Sequence, residues 1–286
     1  MRRRWRAALA WVGIAAAMAS PVPGPPESTV DVMVTAARLD ALTRSLTGSI
    51  EELRAAELVS YHRGESAVLA CMRAAGRPYR KRPFVSFYDG WTDADLGYGT
   101  GRGTVIDSLT EGGRRHILNE MAYARLEHSR TLLPRRSVAD WTKIRDCRTQ
   151  HAGSGIPLGS ELAGFPGLSY YRPDVHAAMR TYRRCMRDRY GYEVTERPDS
   201  LLGARFSRDD APIPGRPATR AWIRGVAEMR AAFAADADCR RPAYELAMRY
   251  VADGLDAWEA GHRAEIDALR AMWRQRVAEA RVLRQG

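Results

Sequence analysis

Residues 242–286 read PAYELAMRYVADGLDAWEAGHRAEIDALRAMWRQRVAEARVLRQG, and this stretch decides the fold class. Tyr244, Met248, Val251, Leu255, Trp258, His262, Ile266, Leu269, Trp273 and Val277 recur every three or four residues. That spacing puts them on one stripe of an α-helix. Pro242 suits the first helical position, where its missing N–H is no loss. The stripe runs for about 40 residues, or roughly 60 Å at the rise of an α-helix. A helix so long must pack along most of the molecule or pair with another helix, as in a coiled coil. Gly254 and Gly261 each weaken it by about 1 kcal/mol relative to alanine, and permit a bend or a close crossing. Residues 241–286 hold eight arginines and seven carboxylates, which is not the balance of a nucleic-acid arm.

Helical patterning extends towards the N terminus. Further helices are expected over 217–239, over 173–191 with Gly191 as the stop, over 137–147, over 111–130, and over 65–75 with Gly76 as the stop. Val32, Ala36, Leu39, Leu42 and Leu46 form another stripe, which Ile50 and Leu53 extend. Ser28 with Asp31, and Ser49 with Glu52, have capping-box spacing. Residues 77–103 break the pattern, and 84–88 (FVSFY) suggest a loop with one short strand. Residues 151–168 contain five glycines and two prolines, the composition of a linker between domains.

Two stretches look like copies. Cys71-Met72-Arg73 precedes Gly76, and Cys185-Met186-Arg187 precedes Gly191. Each is followed by a helix ending in Asp-Cys-Arg, at 146–148 and at 238–240. The second copy resembles a family of exported actinobacterial proteins of unknown function. Their pattern is C-M-x-x-x-G-Y, then A-D-x-x-C-R/K, then a long helix. Cys185-Met186 with Gly191-Tyr192, Ala235-Asp236 with Cys239-Arg240, and the Trp258-bearing last helix match it over about residues 171–286. The first copy departs from it, because Ile144 stands where the aspartate three residues before the cysteine would be. The resemblance implies export, a cysteine framework and helical content, and it carries no catalytic residues.

The N terminus agrees with export. Arg2, Arg3, Arg4 and Arg6 precede an apolar run at 7–19 that ends Ala17-Met18-Ala19, the form of a signal peptide. The run is too short for a stable span, which needs about 20 residues. Cleavage after Ala19 would leave 267 residues and lower the net charge from +11 to +7. In an exported chain, four cysteines read as disulfides. No two are closer than 38 residues, so neither a zinc pattern nor a Cys-X-X-Cys motif is present. The repeat favours Cys71–Cys147 and Cys185–Cys239 among the three possible pairings.

The expected organisation is a signal peptide at 1–19, a Pro-rich linker at 20–28, a first helical half at 29–152, a linker at 153–170, and a second half at 171–286. The fold class is mainly α: two disulfide-closed helix–loop–helix halves braced by a long amphipathic C-terminal helix. Hydrophobic residues at 45% and charged residues at 28% exclude a disordered chain.

Chemistry is sparse. Gly97, Gly99, Gly101 and Gly103 make a glycine-rich loop, but neither G-x-G-x-x-G nor G-K-[ST] is present. His116, Glu120, Glu127 and His128 share a helix without the H-E-x-x-H spacing of a zinc protease. No G-x-S-x-G elbow marks a serine hydrolase. No cofactor or metal is expected. The basic residues offer more. Arg77, Arg80, Lys81 and Arg82 are interleaved with Tyr79 and Phe84, and Arg180, Arg184 and Arg187 cluster around Cys185. Both groups are candidate anion-binding surfaces. Export makes nucleic acid an unexpected partner, and an anionic cell-envelope polymer or another envelope protein the expected one. The functional expectation is a non-enzymatic extracytoplasmic binding or structural protein. Its alternative is a secreted hydrolase whose site no motif marks.

Overall fold

The computed structural model describes residues 31–96, 112–133, 136–150, 172–194 and 208–285. The expected signal peptide, the Pro-rich linker, the 153–170 linker and the glycine-rich loop at 97–103 lie outside these residues. The described chain forms the helices α1 Val32–Thr47, α2 Ile50–Ala74, α3 Gly112–Thr131, α4 Val138–Gln150, α5 Pro173–Ala178, α6 Tyr182–Tyr190, α7 Arg220–Gly261 and α8 Arg263–Gln285. Short 3-10 turns stand at Asp93–Asp95, Met179–Thr181 and Arg208–Asp210.

Local chemistry sets the starts. The Asp31 carboxylate accepts from the Met33 and Val34 N–H groups at 2.9 and 3.1 Å, so Asp31 itself caps α1. At α2 the capping box is complete. Glu52 accepts from the Ser49 N–H at 2.7 Å, and the Ser49 hydroxyl accepts from the Glu52 N–H at 3.3 Å. Gly48, with φ +94°, ends α1 and turns the chain into α2.

α1 and α2 make one bent rod, and α7 and α8 make another. The rods lie side by side and run the same way. Arg38 pairs with Asp256 and Glu259, Trp273 Nε1 donates to the Leu46 carbonyl at 3.2 Å, and Arg63 pairs with Glu279 at 2.6 Å. The core follows this seam. Leu39, Leu42 and Leu46 of α1 pack on Tyr244, Met248, Val251 and Leu255 of α7. Ile50 and Leu53 of α2 pack on Trp273, and Val59 packs on Ala280. The apolar stripe read from the sequence is therefore the buried face of the second rod.

That rod differs from the expected helix in two ways. α7 begins at Arg220 and runs through Pro242, which lies inside the helix instead of at its first position. Interior proline costs about 3 kcal/mol. Packing on both sides outweighs it: Ala235 and Cys239 sit in one core cluster, Ala243 and Tyr244 in the next. The helix also breaks at His262, whose ring stacks on Trp258 at 4.2 Å.

The remaining helices dock on the rods. α4 packs on α2, and α3 packs on α7 through Ile117, Trp222 and Met229. α5 docks on α7 where Tyr250 donates to Asp174 and carries the Arg172 guanidinium 3.4 Å over its ring. Gly191 adopts φ +70° and ends α6, and Gly76 adopts φ +67° after α2, as their positions in the repeat predict. The expected helix at 65–75 is the C-terminal part of the longer α2. The expected strand at 84–88 does not form: 84–86 carry no regular structure and Phe87 and Tyr88 begin a turn.

Both disulfides are those the repeat favours. Cys71–Cys147 joins α2 to α4 with its Cα atoms 5.9 Å apart. Cys185–Cys239 joins α6 to α7 at 5.7 Å.

Candidate functional site

Ile50, Arg54, Glu57, Tyr61 and Glu65 are three or four residues apart and line one face of α2. The segment 77–96 runs back along this face and is held at each position. Glu65 accepts from the Arg82 N–H at 3.0 Å and from its Nε at 2.8 Å. The Tyr61 hydroxyl donates to the Arg82 carbonyl. Glu57 accepts from the Ser86 hydroxyl, and from the Phe87 N–H at 3.0 Å. Arg54 donates to the Tyr88 carbonyl at 2.9 Å. At the far end, Asp93 accepts from the Ile50 N–H at 2.8 Å, satisfying a donor that the helix start leaves open. On sequence, Ile50 belongs to an apolar stripe, and none of the other four side chains is singled out. Their signal was the regular spacing opposite an aromatic-rich segment.

The two carboxyl groups are shifted in opposite directions. Burial is the largest influence on Glu57 and lifts its carboxyl above the usual range, against the bonds from Ser86 and Phe87. Burial also pushes Glu65 upward. Bonds from the Tyr79 hydroxyl, the Arg82 N–H and the Arg82 guanidinium outweigh it, so Glu65 lies below the usual range.

Each disulfide stands beside a buried carboxylate, a tyrosine and the arginine that follows its second cysteine. Near Cys71–Cys147, the Tyr79 hydroxyl donates to Glu65 at 2.7 Å, and Arg148 lies 3.8 Å from the same carboxylate. Near Cys185–Cys239, the Tyr182 hydroxyl donates to Asp236 at 2.6 Å, and Arg240 donates through two nitrogens at 2.9 and 2.6 Å. Burial, then the Asp236 charge, raises the Tyr182 hydroxyl far above its ordinary value. The arginine of each Asp-Cys-Arg thus has a structural role. The departure at Ile144 is also explained. Ile144 is buried against Val68 and Met72, and Glu65 of α2 supplies the carboxylate that Asp236 supplies in the second copy.

The basic candidates divide. Arg77 is held by Asp140 at 2.8 Å and Arg82 by Glu65, while the Lys81 ammonium donates to Ser66 at 3.1 Å. Arg187 pairs with its neighbour Asp188 at 2.8 Å. Arg80, Arg180 and Arg184 are exposed and pair with no carboxylate among the described residues, and Arg183 is in the same state. The structure does not bring the two groups together. Arg77–Arg82 lie over α2 and α4, whereas Arg180–Arg187 lie on and before α6.

A groove of about 270 Å³ opens beside α2, lined in part by Glu57, Tyr61, Arg82, Phe84, Leu126 and Ser129. Both Glu57 oxygens and the Arg82 guanidinium that reach it are already bonded within the chain. Among the described residues, the one group of three or more histidine, cysteine or carboxylate side chains close enough to share a metal ion is Cys185, Asp238 and Cys239. Both sulfurs belong to the disulfide, and Asp238 is taken by Arg189 at 2.7 Å and Tyr190 at 2.8 Å. Glu120 and Glu127 of α3 each have a partner, and the His116 side chain lies outside the described residues. Compared with family models, curated proteins and solved structures, the chain matches none.

Proposed function

We propose that this chain is a non-enzymatic binding protein that works outside the cytoplasm and attaches to an anionic polymer of the cell envelope. The observation that carries the reading is the set of exposed guanidinium groups on and before α6. Arg180, Arg183 and Arg184 have no carboxylate partner among the described residues, whereas most other candidate cations are spent on internal pairs. Unpaired surface charge raises the local concentration of a polyanion and speeds encounter with it. Four cysteines paired in two bridges support an oxidising compartment, because cytosolic thiols are kept reduced. The N-terminal signal pattern and the resemblance to exported proteins agree with it. The buried carboxylates support a framework role, because Glu65 and Asp236 are each consumed by tyrosine and arginine bonds.

The test is retention on two immobilised polyanions, inorganic polyphosphate and polygalacturonate, across ionic strength. Retention should fall steeply as salt rises to 0.15 M, where the Debye length is about 8 Å. Arg180→Glu with Arg184→Glu should weaken it further. Salt-independent retention, or none at low salt on either polymer, would remove the reading.

A further inference from the structure

We propose that the groove beside α2 binds a small organic acid, with an apolar ring in the groove and its carboxylate on the Arg82 guanidinium. Three elements converge there, and every residue that lines the groove is among the described ones. α2 contributes Ser60 and Tyr61, the segment that runs back along it contributes Phe84 and Val85, and α3 contributes Leu126 and Ser129. Packing leaves the apolar members half-open. Val85 and Leu126 are half-buried, and Phe84 is 39% exposed. The Phe84 ring stands 5.2 Å from that of Tyr61 at an interplanar angle of 55°. A third ring can join this pair edge-on or offset.

Arg82 also lines the groove and supplies the charge. Its guanidinium is bonded to Glu65 through Nε alone, at 2.8 Å, and 38% of its side chain is exposed. The two terminal nitrogens have no partner among the described residues. Such nitrogens are planar donors that match the two oxygens of a carboxylate. Glu57, the one carboxylate in the lining, does not compete for them. Its oxygens accept from the Ser86 hydroxyl and the Phe87 N–H. Arg54, Arg82 and Arg148 stand against Glu57 and Glu65, so three positive charges face two negative ones. The surplus favours an anion.

This chemistry fits one class of occupant. A bare anion would leave Phe84, Val85 and Leu126 unused, and a neutral hydrocarbon would leave Arg82 unused. The volume of about 270 Å³ lies just below the range of about 300–1,000 Å³ usual for drug-sized ligands, which limits the apolar body to about one ring. The groove shares no residue with the guanidinium groups on and before α6 that carry the proposed function.

The experiment is a ligand-observed NMR titration of the full chain, both bridges formed, with 3-phenylpropionate, its amide and acetate. The acid is expected to bind at least about tenfold more tightly than the amide, from its charge-assisted bonds, and than acetate, from its apolar area. Phe84→Ala should weaken the acid about tenfold, because it removes a wall of the groove. Phe84 is exposed, so unchanged circular dichroism should accompany the loss. Arg82→Gln should bind acid and amide alike, a readout that a purely structural role for Arg82 would not move. Arg180→Glu with Arg184→Glu should bind the acid as the parent does. No binding of the acid would overturn the proposal. So would equal affinity of the parent for acid and amide, which indicates a neutral occupant, or for acid and acetate, which indicates a bare anion. Unaltered binding by Phe84→Ala, or loss of binding in the Arg180 and Arg184 variant, would also overturn it, since either places the acid elsewhere. Retention on polyphosphate or polygalacturonate is unaffected by these outcomes and tests the polymer reading separately.

Discussion

Glu57 and Glu65 lie just over two turns apart on α2 and answer acid in opposite senses. The fold holds the Glu65 carboxyl below its ordinary value, so it favours the ionised form. Its stabilisation is present above the unfolded carboxyl value of about 4.3 and is lost as pH falls through the lowered folded value. The fold lifts the Glu57 carboxyl, so it favours the protonated form. That penalty is present at neutral pH and disappears as pH falls through the raised value. Glu65→Gln should therefore cost about 1–2 kcal/mol at pH 7, because the bonds from Tyr79 and Arg82 lose their charge assistance while the partly exposed Arg82 keeps access to water. It should also flatten the acid limb of the stability curve. Glu57→Gln should stay within about 1 kcal/mol of the parent at pH 7, since the amide oxygen still accepts from Phe87. Its gain on mild acidification should vanish. Urea midpoints between pH 3.5 and 7 measure both, and an unaltered Glu65→Gln midpoint would contradict the assignment. Neither residue was legible as a site in the sequence. A carboxylate on a helix face reads as solvated until the chain that covers it is known, and 77–96 has no periodicity that reveals its path.

At the scale of elements, helix existence was legible and helix joins were not. The apolar stripe at 244–277 is the buried face, because packing against α1 and α2 needs that spacing. The same spacing is compatible with a continuous helix or with the break at His262, so periodicity could not place the break. On sequence Pro242 fits a helix start, because at the first helical position its missing N–H is no loss. The disulfide at Cys239 and the core on either side hold the helix through it. Pro242→Ala should then raise stability, by up to about 3 kcal/mol, as the Asp238 carbonyl regains a donor. An unchanged or lower thermal midpoint would show that a proline bend is required. At the other rod, Gly48 turns the chain with φ +94°, and a Cβ there would sit 3.0 Å from Trp273 Cζ2. Gly48→Ala should cost about 1–3 kcal/mol by strain and crowding together. A thermal melt checks it, and a neutral result would mean that Trp273 can withdraw without loss.

Over the whole molecule, the account rests on two parallel bent rods with a disulfide closing each flank. The bridges were legible, because the order Cys-Met-Arg then Asp-Cys-Arg occurs twice and both follow it, whereas the parallel pairing of the rods was not among the expectations. What the repeat did not reveal was the exchange of parts around the bridges. The carboxylate comes from the first helix in one copy and the second helix in the other, so no fixed spacing marks it. Each bridge closes a loop of 76 or 54 residues. In the chain-entropy model such loops are worth about 4 kcal/mol each. Cys185→Ala should cost several kcal/mol and leave a free thiol at Cys239, with Cys71–Cys147 intact. The most direct measurement is non-reducing peptide mapping of the protein recovered from the extracytoplasmic fraction of its producing cell. The account predicts Cys71 joined to Cys147 and Cys185 joined to Cys239, with no free thiol. Recovery only from the cytosol with reduced cysteines, or Cys71 joined to Cys185 or Cys239, would contradict it.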